Sequence, residues 1–180
     1  YRGMLFSTIL QCLEGIPYPV ANVSSINLDD FPMPLYNSGI YPIDAEYEMT
    51  HSDWVVNIWW PDMLALADSF GVKYTAFPAF NYNRRTLPPF DFKMWEGGRS
   101  TIDGKVVQGS PWLARQIVKS EHELGFHGYN HVSLWQRDWE NMDLIVTALQ
   151  SVRKRWRIDD LGPLPVSYVP PSNDIDSTGL

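Results

Sequence analysis

His127 and His131, two of the chain's four histidines, stand four residues apart in the stretch Glu121 to Leu134, EHELGFHGYNHVSL. Imidazoles at i and i+4 can turn toward one point and offer two nitrogens to a single ion. Leu124-Gly125-Phe126 reads as a strand, so the pair falls where a strand gives way to a loop, a frequent place for site residues. A second pair, Asp29-Asp30, closes the run Val23-Ser24-Ser25-Ile26-Asn27-Leu28 ahead of Phe31-Pro32. This reads as a strand delivering two carboxylates to its C-terminal end. One carboxylate with two imidazoles leaves a position on the ion open to water, as in catalytic sites and not in closed structural ones. Such an ion brings the pKa of water toward ~7 and polarises a carbonyl, and a second carboxylate beside it can take the proton. Acidic turns before proline and chance histidine pairs also occur without chemistry. The reading therefore needs a fold that joins the two pairs.

The elements that would position them alternate. Residues 1 to 19 hold an apolar stretch, Met4 to Leu13, read as a short helix. After the aspartate strand, Met33 to His51 is rich in Pro, Tyr and Gly and reads as a long loop over the strand end. Ser52 to Phe70 is a helix that either kinks or begins at Pro61 and stops at Gly71. Val72 to Phe80 forms the second strand, and Asn81 to Gly109 is an insertion in which Asp103-Gly104 closes a small hairpin. Ser110 caps a helix with Pro111 at its first position, running to Leu124 with Gly125 as its stop. The strongest amphipathic pattern spans Trp139 to Arg157, with acids at its start and Arg153, Lys154, Arg155 and Arg157 at its end, as the helix dipole favours. Pro165 to Val169 makes a fourth strand ending in Pro170-Pro171-Ser172-Asn173. Strands alternating with helices predict a parallel α/β arrangement, open or closed as a barrel. Either would gather Asp29, Asp30, His127, His131 and Asn173 on one face.

The bulk properties limit the function classes. One hundred and eighty residues suit a single domain with a real core. Fourteen Lys and Arg against 21 Asp and Glu give a net charge of −7, which excludes a nucleic-acid backbone as the expected partner. Aromatic residues reach 14% with eight Trp, enough for a thick core and for rings that stack on sugars. Cys12 is alone and reads as a small buried hydrophobe. No run approaches the roughly 18 apolar residues of a membrane span. The chain begins at Tyr1 and ends in Asp176-Ser-Thr-Gly-Leu180, and it reads as a piece of a longer protein.

The stretch His122-Glu-Leu-Gly-Phe-His127-Gly-Tyr-Asn-His131 resembles the second motif of the polysaccharide deacetylases with a NodB-homology domain, carbohydrate esterase family 4. Leu28-Asp29-Asp30 resembles their first, and Lys73-Tyr-Thr-Ala-Phe77 is similar to the strand between. Order and spacing agree over roughly residues 20 to 175. The resemblance implies a distorted or incomplete (β/α) barrel with the site at the C-terminal ends of parallel strands. It implies a divalent ion, usually zinc, and hydrolysis of N-acetyl groups from an amino-sugar polysaccharide outside the cell, in the periplasm or at the cell surface. By motif position Asp30, His127 and His131 would bind the metal and Asp29 would be the general base. Two positions depart from the pattern. Tyr168-Val169 stands where the family has an Arg before its prolines, and Gly128 stands where Ser or Thr is usual. The chain thus reads as a divergent branch of the glycoside hydrolase/deacetylase superfamily.

The leading expectation is a metal-dependent deacetylase, with Tyr129, Tyr168 and Asn173, and also Trp135, as candidates for sugar contact. The alternative is a catalytically impaired carbohydrate-binding or assembly module of the same fold. A two-carboxylate glycosidase is disfavoured because neighbours on a strand point to opposite faces. His122 is expected in the last turn of a helix, partly charged, and His51 exposed near a helix start.

Overall fold

The β-branched and aromatic runs pair as a parallel sheet in the computed structural model, which describes residues 25–177 and 179. Its strands are β1 (Ile26–Leu28), β2 (Tyr74–Ala76) and β5 (Glu123–Leu124), in the order β1-β2-β5. Register is set by Ile26 opposite Tyr74 and by Ala76 opposite both Leu28 and Leu124. The expected insertion carries β3 (Arg99–Ile102) and β4 (Lys105–Gln108) as an antiparallel hairpin. Asp103 and Gly104 turn it at φ 50° and 74°, the left-handed pair a tight hairpin requires. The expected helix in residues 1 to 19, the first part of the aspartate strand and Cys12 lie outside the described residues.

No barrel closes among the described residues, which corrects the expected (β/α) barrel. The three parallel strands are two or three residues long. The expected fourth strand reduces to one parallel bridge, Phe126 to Tyr168. Pro165, Pro170 and Pro171 frame that segment and cannot donate to a ladder, so it pairs only between them. The molecule is a small α/β structure with a three-stranded parallel sheet and a separate hairpin.

Helix α1 (Ile43–Tyr47) interrupts the expected long loop. Helix α2 is one run of three parts, His51–Trp54, a π-helical Val55–Trp59, and Trp60–Phe70. It starts ten residues before Pro61 and is capped by Thr50, whose Oγ1 accepts from the Asp53 N–H at 3.1 Å. Pro61 neither starts nor ends it, because the widened turn that closes with Trp60 N–H on the Val55 carbonyl lies immediately before the ring. Helix α3 is Lys93–Gly97 and α4 is Gly109–Lys119. Helix α4 stops short of Leu124, since Glu121 turns left-handed at φ 59° and returns the chain to the sheet. Ser110 does not cap it. Its hydroxyl donates to the Met33 carbonyl at 2.7 Å. Helix α5 is Met142–Ile158, capped by Asn141.

The core lies between the sheet and these helices. Trp60, Trp95 and Trp156 are each at most 1% exposed and meet Tyr74, Phe80, Leu113 and Ile117. The basic end of α5 is only partly a solvated terminus. Arg155 is 8% exposed, and its Nε and Nη2 donate to Asp159 at 2.7 and 2.5 Å. Arg155 also binds Glu96, and the Trp95 indole donates to Asp159 at 2.8 Å. A buried charge is tolerated when paired and hydrogen-bonded in this way.

Candidate metal centre

Two ladder bonds define the aspartate turn. The Phe77 N–H donates to Leu28 at 2.9 Å, and the Phe31 N–H donates to Phe77 at 3.1 Å. Asp29 and Asp30 are looped out between those bonds, with Asp30 left-handed at φ 53°. Aspartate is among the few residues that take that conformation at small cost. As a result both carboxylates approach one imidazole: Asp29 Oδ1 lies 3.7 Å and Asp30 Oδ1 3.3 Å from His127 Nε2. The expectation that these neighbours point to opposite faces fails because the residues leave the strand before they diverge.

The histidines arrive from β5. Gly125 is required there, because a Cβ would overlap the Phe77 ring. The chain continues through Phe126, whose N–H donates to Ser167 at 2.8 Å, into His127, which is 1% exposed. His127 Nδ1 lies 2.8 Å from the Val169 carbonyl. A carbonyl only accepts, so Nδ1 carries a proton and Nε2 is the ring nitrogen turned toward the carboxylates. Gly128, at φ 93°, reverses the chain so that His131 returns to the same point. His131 Nε2 lies 3.5 Å from Asp30 Oδ2, and the two imidazole centres are 5.5 Å apart.

Ligand atoms of Asp30, His127 and His131 all lie within 4.8 Å of one another. Ligands about 2.1 Å from a tetrahedral ion stand about 3.4 Å apart; Asp30 meets His127 through Oδ1 at 3.3 Å and His131 through its other oxygen, Oδ2, at 3.5 Å. Asp30 Oδ1 and His127 Nε2 are buried and face each other at 3.3 Å, with no other hydrogen-bond partner among the described residues. Buried polar atoms are rarely left so. Asp30, His127 and His131 are thus a group that could hold a metal ion.

The charges agree with the geometry. Burial pushes the Asp30 carboxyl up, but His127, His131 and Tyr82 outweigh it and hold its pKa below the usual value. Burial pushes His127 down, and Asp30, the Val169 carbonyl and Asp29 outweigh that and raise it. Tyr82, whose ring centre is 6.1 Å from that of His131, is pushed well up by burial and by the neighbouring Asp30.

Two cavities meet this cluster. One of about 450 Å³ is lined by Tyr82, Arg84, His131, Ser133, Asp138 and Ser172. The other, of about 410 Å³, is walled by Asp29, Asp30, Phe31, His51, Trp54 and Trp59.

The remaining candidates fall elsewhere. Tyr129 is 2% exposed, with its hydroxyl donating to Asp91 at 2.8 Å and accepting from Asn81 at 3.2 Å. It packs on Phe90 and Phe92, inside the molecule. Tyr168 is 39% exposed, and burial of its hydroxyl pushes its pKa up to about 12. It stacks toward Phe126 and lines neither cavity. Asn173 is exposed on the 3-10 turn Pro171–Asn173, and it is Ser172 that lines the larger cavity. The Arg137 guanidinium covers Trp135 at 3.6 Å. His51 is 6% exposed and accepts from the Tyr36 N–H, and burial lowers its pKa. His122 lies beyond α4, where it accepts from the Tyr74 N–H at 3.2 Å and is likewise lowered by burial. Neither is the charged or exposed imidazole expected.

Tyr82 and Arg84 carried no role in the sequence reading because they sit in the segment read as an insertion. Their position in the loop after β2 was the available signal, since sheet sites gather beyond strand C-terminal ends.

The whole chain, residues 1–180, matches the bacterial family described as "Uncharacterised protein conserved in bacteria (DUF2194)", and it belongs to that family. Neither a curated protein nor a solved structure matches it.

Proposed function

We propose that this DUF2194 protein is a metal-dependent hydrolase that removes N-acetyl groups from an amino-sugar polysaccharide. In this reading Asp30, His127 and His131 hold a divalent ion, zinc in the first instance, and Asp29 is the general base. The observation that carries it is the convergence of Asp30, His127 and His131, with the buried atoms Asp30 Oδ1 and His127 Nε2 facing each other at 3.3 Å. A divalent ion held there supplies Lewis acidity to water and to an amide carbonyl.

The protein's own groups have separable tasks. Val169 fixes the His127 tautomer through its carbonyl. Asp29, whose side chain is 57% exposed, faces both His127 and the smaller cavity. Its carboxylate is placed to take a proton from the attacking water and return it to the departing amine, as the carbonyl carbon gains oxygen and loses nitrogen. Tyr82 borders Asp30 and closes the opposite side.

The substrate class and a location outside the cell, in the periplasm or at the cell surface, follow from the motif resemblance and belong to the proposal. No helix among the described residues is long and apolar enough to cross a membrane. A second reading, a catalytically impaired sugar-binding or assembly module of the same fold, with or without the ion, is favoured by Tyr168-Val169 standing where a charged Arg would orient the base.

Elemental analysis of the purified chain beside an Asp30→Ala, His127→Ala, His131→Ala variant tests the centre, and acetate release from chitin-like oligomers tests the reaction. About one equivalent of zinc, lost in the variant, with zinc-dependent acetate release supports the hydrolase. Zinc without acetate release selects the binding module, and no zinc after loading overturns the hydrolase and leaves the binding module as the better reading.

A further inference from the structure

The smaller cavity owes its shape to an irregularity in α2. On a regular α-helix residues five apart stand about 140° apart around the axis, which would put Trp54 and Trp59 on different faces. The π-helical turn Val55–Trp59 closes i to i+5, with Trp60 N–H on the Val55 carbonyl. Residues five apart then share a face, and Trp54 and Trp59 both line the cavity beside Asp29 and Asp30. Both indoles are half-buried, whereas the neighbouring Trp60 is 1% exposed and belongs to the core. Phe31 meets Trp59 edge to face, with ring centres 4.7 Å apart, and holds it in place.

We propose that Trp54 and Trp59 form the platform of a sugar-ring subsite that takes an uncharged hexosamine unit next to the one presented to Asp29. This deepens the proposed function and rests on it for the reaction, but not for the binding. The chemistry of the walls selects the occupant. Indole faces match the C–H face of a pyranose, while Asp29, Asp30 and His51 line the same cavity and can meet ring hydroxyls. No Lys or Arg lines it, and two carboxylates do, so an anionic sugar is disfavoured. About 410 Å³ lies within the range of small-ligand sites. The larger cavity, across the cluster and lined by Arg84 and Asp138, is polar by contrast. A polymer lying across the centre therefore meets an aromatic wall on the Asp29 side and a polar one on the His131 side.

The test is calorimetric titration of the zinc-loaded chain with the N-acetylglucosamine tetramer. Trp54→Ala and Trp59→Ala are each expected to weaken binding about tenfold or more, with zinc content unchanged. In wild type the indole N–H resonances that shift on titration should be those missing from Trp54→Phe and Trp59→Phe, a readout that survives if the alanine variants fail to fold. Tetramer binding that both alanine variants leave within twofold overturns the subsite, as does absence of binding by the wild type or indole shifts confined to other tryptophans. A His131→Ala variant, which removes a candidate ligand that does not line the smaller cavity, separates the two readings. Tryptophan-dependent binding without zinc keeps the subsite while acetate release is lost, and zinc-dependent acetate release that ignores both tryptophans keeps the hydrolase and removes the subsite.

Discussion

The Val169 carbonyl accepts the Nδ1–H of His127 at 2.8 Å, across 42 residues of sequence. The segment that brings Val169 there makes one bridge to the sheet, Phe126 to Tyr168, with Phe126 N–H on Ser167 and Val169 N–H on Phe126. That short attachment is enough to fix the tautomer that presents Nε2 to Asp30.

Ion binding should stabilise the fold through this cluster. At a free zinc concentration about 100 times Kd the gain is about 2.7 kcal/mol. Melting temperature should rise with zinc and return with chelator in the wild type, and should ignore both in the Asp30→Ala, His127→Ala, His131→Ala variant.

Tyr82 borders Asp30 without replacing any ligand. Tyr82→Phe should keep one equivalent of zinc but lower its affinity by about 10- to 100-fold, the usual cost of losing a group that orients a ligand. Chelator competition measures it, and an affinity within twofold of wild type would show that the hydroxyl does nothing for Asp30.

At Gly125 the ring of Phe77, itself 3% exposed, leaves no room for a Cβ. Gly125→Ala should cost about 1–3 kcal/mol by overpacking, read as a lower urea midpoint. Because the site begins two residues later, zinc affinity should fall with it.

Arg155 and Asp159 are 8% and 5% exposed and bound to each other through two bonds. Arg155→Met strands the Asp159 carboxylate and should cost about 3–5 kcal/mol. Arg155→Met with Asp159→Leu should cost less than the sum of the two single changes, which a double-mutant cycle in urea resolves.

His122 sets a pH dependence whose sign is fixed. Its Nδ1 accepts from Tyr74, and burial, aided by Lys73 and opposed by Asp68, lowers its pKa from 6.5. The unfolded chain therefore binds a proton that the folded one refuses, so stability is lost as pH falls through 6.5 toward the lowered value. His122→Asn, which retains an acceptor, should flatten the fall in melting temperature between about pH 7.5 and 5.5 in chelator. An unchanged slope would assign the fall to other groups.

The residues that converge were legible because their chemistry is local. Asp29-Asp30 ends a β-branched run, and His127 and His131 follow a strand and a glycine. The hairpin was legible from Asp103-Gly104, whose backbone preference decides the turn. The open, three-stranded sheet that stands in place of the expected barrel was not, because closure depends on strand length and partners far apart in sequence, and the prolines around 165–171 left one bridge where a strand was expected. Nor were Trp54 and Trp59, since reading α2 at a regular helical period separates them, and the π turn that unites them leaves no composition signal. Tyr129 was misleading for the opposite reason. An aromatic between two histidines resembles a ligand contact, yet its neighbours Phe90 and Phe92 bury it.

Tyr129 and Asn130, held between the two histidines, also grip the loop that follows β2. Tyr129 binds the Asp91 carbonyl and Asn81, and Asn130 donates to the Arg85 carbonyl at 2.7 Å. Inside that loop the Asn83 and Arg85 N–H groups donate to Asn81 and Asn83 side chains at 3.0 and 2.9 Å. The histidine turn and the loop bearing Tyr82 and Arg84 are thus one mechanical unit, like a jaw hinged to its own sensor. Slowed amide exchange at Asn83 and Arg85 then reports on the histidine turn from the far side of the latch, without any probe placed on the centre itself.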